Sequence, residues 1–173
     1  RRNVTLNALG DRVAVVEADI TQRGDPGLVD LGLAAHGFDC VLANPPYHDA
    51  AAGTPAQALR KARAHAMERG SLDAWGRFFA RMAAPGGTAT LIHRADALGG
   101  VLDALDGRFG GLVVLPIHAR PGGPAIRVLV RGTKGSRAPL RLLAGFVLHG
   151  TDGHGFSTEA EAILRHGAPL PLD

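Results

Sequence analysis

Four consecutive residues, Asn44-Pro45-Pro46-Tyr47, offer the clearest chemistry in this chain. A planar amino or amide nitrogen is a poor nucleophile, because its lone pair is delocalised into the neighbouring π system. Two acceptors set against its two N–H groups draw it toward tetrahedral geometry and free that pair. Asn44 offers a side-chain carbonyl and Pro45 its backbone carbonyl, and Pro45 and Pro46 stiffen the turn so that both point at one spot. Tyr47 then supplies an aromatic face on which a flat substrate can stack. Such a site needs no acid or base of matched pKa; positioning for in-line attack on a sulfonium methyl would suffice. The plainer reading is a simple turn, since Asn-Pro is itself a turn signal. Context weighs against it: the motif follows the apolar run Phe38 to Ala43, at the strand end where open α/β sheets bind ligands.

The elements that must hold this motif follow from patterning. Apolar strand-like runs alternate with helical patterns, which predicts an α/β fold with a mainly parallel sheet. Val4, Leu6 and Leu9 form a helix tail stopped by Gly10. Val13 to Glu17 is β-branched and predicts a short strand ending at Ala18-Asp19, and residues 24–37 hold turn formers with a short apolar helix. Phe38 to Ala43 predicts a buried strand, with Cys40 as a core residue within it. Helical patterning runs through Met67, and Ser71 is placed to cap a helix carrying Leu72, Trp75, Phe79 and Met82 on one packing face. Pro85-Gly86-Gly87 closes that helix before a strand over Thr88 to His93. A helix from Ala95 to Phe109, interrupted at Gly99-Gly100, precedes strands over Leu112 to Ile117 and Ala125 to Val130 joined by a hairpin. Leu140 to Leu148 predicts an edge segment, and Thr158 with Glu161 matches a capping box opening a final helix to Arg165.

A chain of 173 residues can build one domain with a core and is too short to argue for two. Its 46% hydrophobic and 20% charged residues are ordinary for a globular protein. No apolar run approaches the roughly 18 residues of a membrane span, and no secretory leader is recognisable, so a cytoplasmic protein without membrane association is expected. Cys40 is the only cysteine, which excludes an intrachain disulfide and a thiolate zinc site built from this chain. The eight histidines show no HExxH or paired-ligand spacing, so no metal is expected.

The formal charge is +3, and only Lys61 and Lys134 are lysines, a bias that arginine-rich composition alone could produce. Distribution says more. From Gly107 to Thr151 there is no Asp or Glu, while Arg108, Arg120, Arg127, Arg131, Lys134, Arg137 and Arg141 all fall within that tract. Arg127 and Arg131, four apart, should project from one face of a strand, with Arg120 reaching in from the hairpin, as a positive rim for nucleic-acid phosphates. A solvated, arginine-coloured surface is the alternative. His93 and Arg94 end a strand near the motif, where a substrate role is open on position.

Phe38-Asp39-Cys40-Val41-Leu42-Ala43-Asn44-Pro45-Pro46-Tyr47 resembles the strand-4 motif of the class I amino-group methyltransferases, and Pro85 to Ile92 resembles their approach to strand 5. Val15 to Ile20 is similar to their strand 3. With His48-Asp49, Ile92-His93-Arg94-Ala95-Asp96 and Phe156 to Arg165, the chain is most similar to the bacterial tRNA(Val) adenine-37 N6-methyltransferase family. The resemblance implies a Rossmann-like sheet with helices on both faces and S-adenosylmethionine as cofactor. Asp19, Ile20 and Asn44 would contact that cofactor, and Asp19 would bond its adenine amino group; a solvated turn acid is the alternative at that position. Asn44, Pro45, Pro46 and Tyr47 would form the catalytic motif, acting on an unstacked adenine of tRNA. The family's Gly-rich loop after strand 1 and the ribose-binding acid of strand 2 have no counterpart here. Residues 1–173 are therefore expected to be a single methyltransferase domain truncated at its amino terminus, inactive alone, with a gap in mid-sheet. Rival readings are a protein glutamine N5-methyltransferase acting on release factors, an rRNA guanine N2-methyltransferase, and a noncatalytic RNA-binding fragment.

Overall fold

The computed structural model describes residues 1–20, 27–46, 70–151 and 155–172. Two short helices come first, α1 (Arg2–Leu6) and α2 (Gly27–Asp30), followed by strand β1 (Phe38–Ala43). Helix α3 covers residues 70–82 and leads into β2 (Ala83–Arg94). A 3-10 turn (Ala95–Ala97) and α4 (Leu98–Leu105) precede β3 (Phe109–His118) and β4 (Ala125–Lys134). Short strands β5 (Arg141–Leu142) and β6 (Phe146–Val147) and helix α5 (Thr158–His166) complete the order. The result is a mixed α/β fold with helices on both faces of a six-stranded sheet.

The sheet runs β1-β2-β4-β3-β5, with β6 pairing β3 off that path. β1 and β2 are parallel, while β4 is antiparallel to both β2 and β3. The hairpin inserts β4 between two strands that run the same way. The crossovers β1 to β2 and β2 to β3 advance in one direction across the sheet, which puts α3 and α4 on the same face. There Leu72 and Phe79 of α3 and Val101, Ala104 and Leu105 of α4 pack on Ala89, Leu91, Val114, Val128 and Val130. Phe79 is 1% exposed, and burying such a side chain contributes about 1.5–3 kcal/mol. The opposite face packs Leu115, Ile117 and Phe146 against Ala160 of α5 and Leu172.

The α3 stripe packs as its spacing implies, with Leu72, Phe79 and Met82 buried and Trp75 half-buried against Phe78 and Phe79. Ser71 lies inside this helix rather than at its cap. Pro85-Gly86-Gly87 does not separate helix from strand: β2 starts at Ala83 and bulges, so Phe38 pairs with Ala83 and Cys40 with Thr88. Gly86 has φ +77°, and a Cβ on Gly87 would lie 2.9–3.1 Å from the carbonyls of Ala84, Asp39 and Phe38. The helix before β3 ends at Leu105, and Phe109 already belongs to the strand. Ser157, one residue earlier than expected, caps α5 by accepting from the Ala160 N–H at 3.1 Å.

Two further expectations are overturned. Val13 to Glu17 forms no strand: residues 13–17 belong to no ladder among the described residues, and Val13, Val15 and Val16 are exposed. A β-branched sequence becomes a strand only where a neighbour accepts its hydrogen bonds. Cys40 is exposed rather than core, because β1 is the sheet edge and only Val41 and Ala43 turn toward the α3 side. On the other side of the strand Leu42 is 75% exposed.

Candidate active site

β1 stops where its sequence removes donors. Ala43 pairs with Leu91, the last register pair of the parallel ladder, and Pro45 and Pro46 bring no N–H to continue it. Pro45 is fully buried and anchors the turn, while Asn44 and Pro46 on either side are exposed. The Asn44 side chain is thus presented at the carboxyl edge of the parallel pair, on a backbone fixed by its buried neighbour. Tyr47 lies outside the described residues. An apolar recess of about 200 Å³ under Phe38, Val41, Trp75 and Met82 does not include the motif.

The neighbouring strand brings three residues past this point. Ile92 continues β2, His93 turns into the core beside Val128 with 1% exposure, and Arg94 turns to the other face. Arg94 Nε donates to Asp96 Oδ1 at 2.9 Å, and a guanidinium nitrogen also donates to Asp96 Oδ2, a forked pair. The 3-10 turn directly after β2 places Asp96 there. Arg94 was marked by its position alone; its acid partner two residues on is legible only once the strand is seen to end between them.

Asp19 is exposed and Ile20 half-buried just after the Val13 to Glu17 segment. Arg127 and Arg131 project from one face of β4, as strand alternation requires. Arg127 Nη1 donates to the Ile126 carbonyl at 2.9 Å, and Arg131 Nη2 to the Leu172 carbonyl at 3.2 Å. Arg141 Nη2 reaches the same Leu172 carbonyl at 3.1 Å, and Arg120 Nη1 the Gly150 carbonyl at 3.1 Å.

Lys134 was counted with the cations of the acid-free tract and has another task. Its ammonium donates to the carbonyls of Ala80 at 2.6 Å and Ala83 at 2.7 Å and to His36 Nδ1 at 2.7 Å. It thereby satisfies the carboxyl end of α3 and ties it to the turn entering β1. His36 Nδ1 also lies 3.3 Å from the Ala83 carbonyl, so ring, ammonium and carbonyl meet at one point. Burial pushes the Lys134 pKa below its usual value. Sequence gave no sign of this staple, because its partners lie 51 to 98 residues away.

No helix among the described residues is long and apolar enough to cross a membrane. No protein-family model and no curated protein sequence matches the chain. Among solved structures it is similar to a predicted O-methyltransferase from Agrobacterium tumefaciens, at 32% identity and a TM-score of 0.74, covering 94% of this chain and 68% of that one. A candidate DNA modification methylase from Thermus thermophilus shares 17% identity over 67% of this chain and 55% of its own, with a TM-score of 0.42. That second likeness is too slight to build on.

Proposed function

This chain belongs to the methyltransferase family represented by the Agrobacterium tumefaciens protein, and on that premise we propose that it serves S-adenosylmethionine-dependent methylation of the N6 amino group of an adenine in tRNA. The observation that carries the reading is the Asn44-Pro45 turn, with its side-chain acceptor exposed at the end of β1 and its proline locked in the core. An amino group has two N–H bonds to place, and the Asn44 and Pro45 carbonyls are two acceptors on adjacent residues. A hydroxyl has only one. The acid-free, arginine-rich tract supports an RNA substrate over a release-factor glutamine, which would bring no phosphates.

Asp19 and Asn44 are acceptors suited to the adenine amino group and to the reacting end of S-adenosylmethionine, and the fit extends no further than those ends. When bound, that cofactor supplies an electrophilic methyl group. The chain's own contribution is to hold the target nitrogen. Asn44 and Pro45 accept its N–H groups and favour the pyramidal form, Tyr47 stacks on the base, and orientation lowers the barrier. The base must leave its stack to reach an edge site of this kind, so a loop adenine is preferred over a paired one.

The test is methyl transfer by the full-length protein from labelled S-adenosylmethionine to unmodified tRNA, followed by nucleoside mass spectrometry. Label in N6-methyladenosine is expected. Label confined to 2-methylguanosine, to glutamine of a release factor, or to an O-methyl product would replace this reading with the corresponding rival.

A further inference from the structure

We infer that the stacked rings of His149 and Phe156 form a platform for an unpaired nucleobase of the RNA, a second base apart from the one presented to Asn44; the inference rests on the RNA reading above. The ring centroids lie 5.3 Å apart with an interplanar angle of 12°, a near-parallel stack. Backbone bonding sets the rings there. His149 and Phe156 face each other as an isolated antiparallel bridge, which puts both side chains on one side. The His149 N–H donates to the Ala119 carbonyl at 3.0 Å, and the Ser157 N–H to the Leu148 carbonyl at 2.8 Å. Ser157 Oγ donates to the Val147 carbonyl at 2.8 Å and also caps α5, so Phe156 is anchored by its neighbour. His149 Nδ1 donates to the Gly155 carbonyl at 3.2 Å, which fixes the plane of the imidazole.

Folding alone does not account for this ring. Phe156 is 41% exposed, while every other Phe and Trp among the described residues is buried or half-buried. A residue before a helix cap commonly packs on the fourth helical residue, but here that residue is Glu161, paired with Arg165 at 3.1 Å. The imidazole covers one face of Phe156 and leaves the other to a flat partner. Nucleobases stack on such a face whatever their sequence. Arg120 Nη1 donates to the Gly150 carbonyl at 3.1 Å, which brings a guanidinium beside the residue after His149. A phosphate chain therefore finds positive charge on that side, whereas Glu159 and Glu161 keep it off α5. A flat ring with a cation next to it suits a nucleotide better than an apolar side chain.

The platform and Asn44 belong to one edge of the sheet. Both β2 and β3 oppose β4, so β1, β2 and β3 all end on the same side, and His149 lies just past the end of β3. β6 pairs with β3 on the side away from β4, which puts four strand spacings of about 4.8 Å, roughly 20 Å, between β1 and β6. No single base covers that gap. The platform therefore takes a different base of the same RNA.

The test is equilibrium binding of the full-length protein to unmodified tRNA between about 50 and 200 mM salt, with methyl transfer measured in parallel. Phe156→Leu keeps the apolar bulk and loses the flat ring, so it should weaken binding about tenfold, as should Phe156→Ala. Phe156→Trp keeps the plane and should bind at least as well as wild type. A merely packing role would give the reverse order, tolerating Leu and rejecting Trp. Stacking releases no counterions, so the slope of log affinity against log salt should stay the same in all three variants. In Phe156→Leu the KM for tRNA should rise while kcat holds, because the reacting base is gripped elsewhere. Cofactor affinity should match wild type; a fall would assign the ring to the cofactor's own adenine and overturn the platform. If Phe156→Ala fails to fold, Phe156→Leu and Phe156→Trp still decide. Wild-type affinity in Phe156→Leu, in an enzyme that does methylate tRNA, overturns the platform and leaves the proposed function standing. A wild-type protein that neither binds nor methylates tRNA overturns both.

Discussion

Replacing Lys134 should be felt at both ends of the element it serves. The ammonium satisfies the Ala80 and Ala83 carbonyls and holds His36, whose own backbone N–H donates to the Arg81 carbonyl at 2.8 Å. Lys134→Met keeps most of the apolar stem and removes all three donated bonds. Leaving a buried acceptor unsatisfied costs about 1–3 kcal/mol, and the wild-type ammonium already suffers desolvation, so a net loss of about 1–2 kcal/mol is expected. The pH dependence gives a sharper signature. Burial depresses the folded-state pKa below the ordinary 10.5, so between those two values the unfolded chain holds more protons than the folded one. Wild-type stability therefore rises with pH across that interval, by up to about 1.4 kcal/mol per pH unit, and this rise is absent from the variant. The stability gap between wild type and Lys134→Met should widen as pH rises toward 10.5. Lys61 and Tyr47, the other lysine and the only tyrosine, are retained in both proteins and cancel in the difference. Urea unfolding followed by circular dichroism at about pH 7 and about pH 10 measures the gap. A gap that stays constant or narrows, or a variant as stable as wild type, refutes the staple.

Three further outcomes are expected, the first two under the proposed function and the third from helix packing. Asn44→Ala removes an acceptor aimed at the reacting nitrogen, so methyl transfer by the full-length protein should fall about 100-fold or more while calorimetric affinity for cofactor stays near wild type. Tyr47→Phe keeps the stacking ring and should retain most activity, whereas Tyr47→Ala should raise KM for RNA; equal damage from both would point to the hydroxyl instead. Gly76→Ala would set a Cβ 2.0 Å from the Ala104 carbonyl oxygen and force α3 off α4. Despite the better helix propensity of Ala, urea midpoints should show a loss of about 1–3 kcal/mol.

What sequence revealed and what it hid divide along physical lines. The alternation of strand and helix, the α3 packing stripe and the Asn44 turn are each encoded within about a dozen residues, so local periodicity and proline chemistry suffice. The extent of β2 was hidden because Pro85-Gly86-Gly87 looks like a terminator. Gly87 instead lets two backbones approach more closely than a Cβ permits, and the ladder resumes beyond it. The apolar run of β1 predicted burial on both sides, yet burial of a strand depends on what covers it. With β1 at the sheet edge, Cys40 and Leu42 face outward while Val41 and Ala43 keep the α3 face. Val13 to Glu17 shows the same dependence, having strand-forming side chains and no ladder. The cations are the strongest case. The acid-free tract reads as one positive surface, but the fold separates its members by the partner that each reaches. Lys134 holds α3, Arg131 and Arg141 hold the Leu172 carbonyl, and Arg127 meets Arg94 from outside the tract. Composition therefore marks the tract as basic, while strand register and backbone carbonyls, far apart in sequence, decide where each of its cations is held.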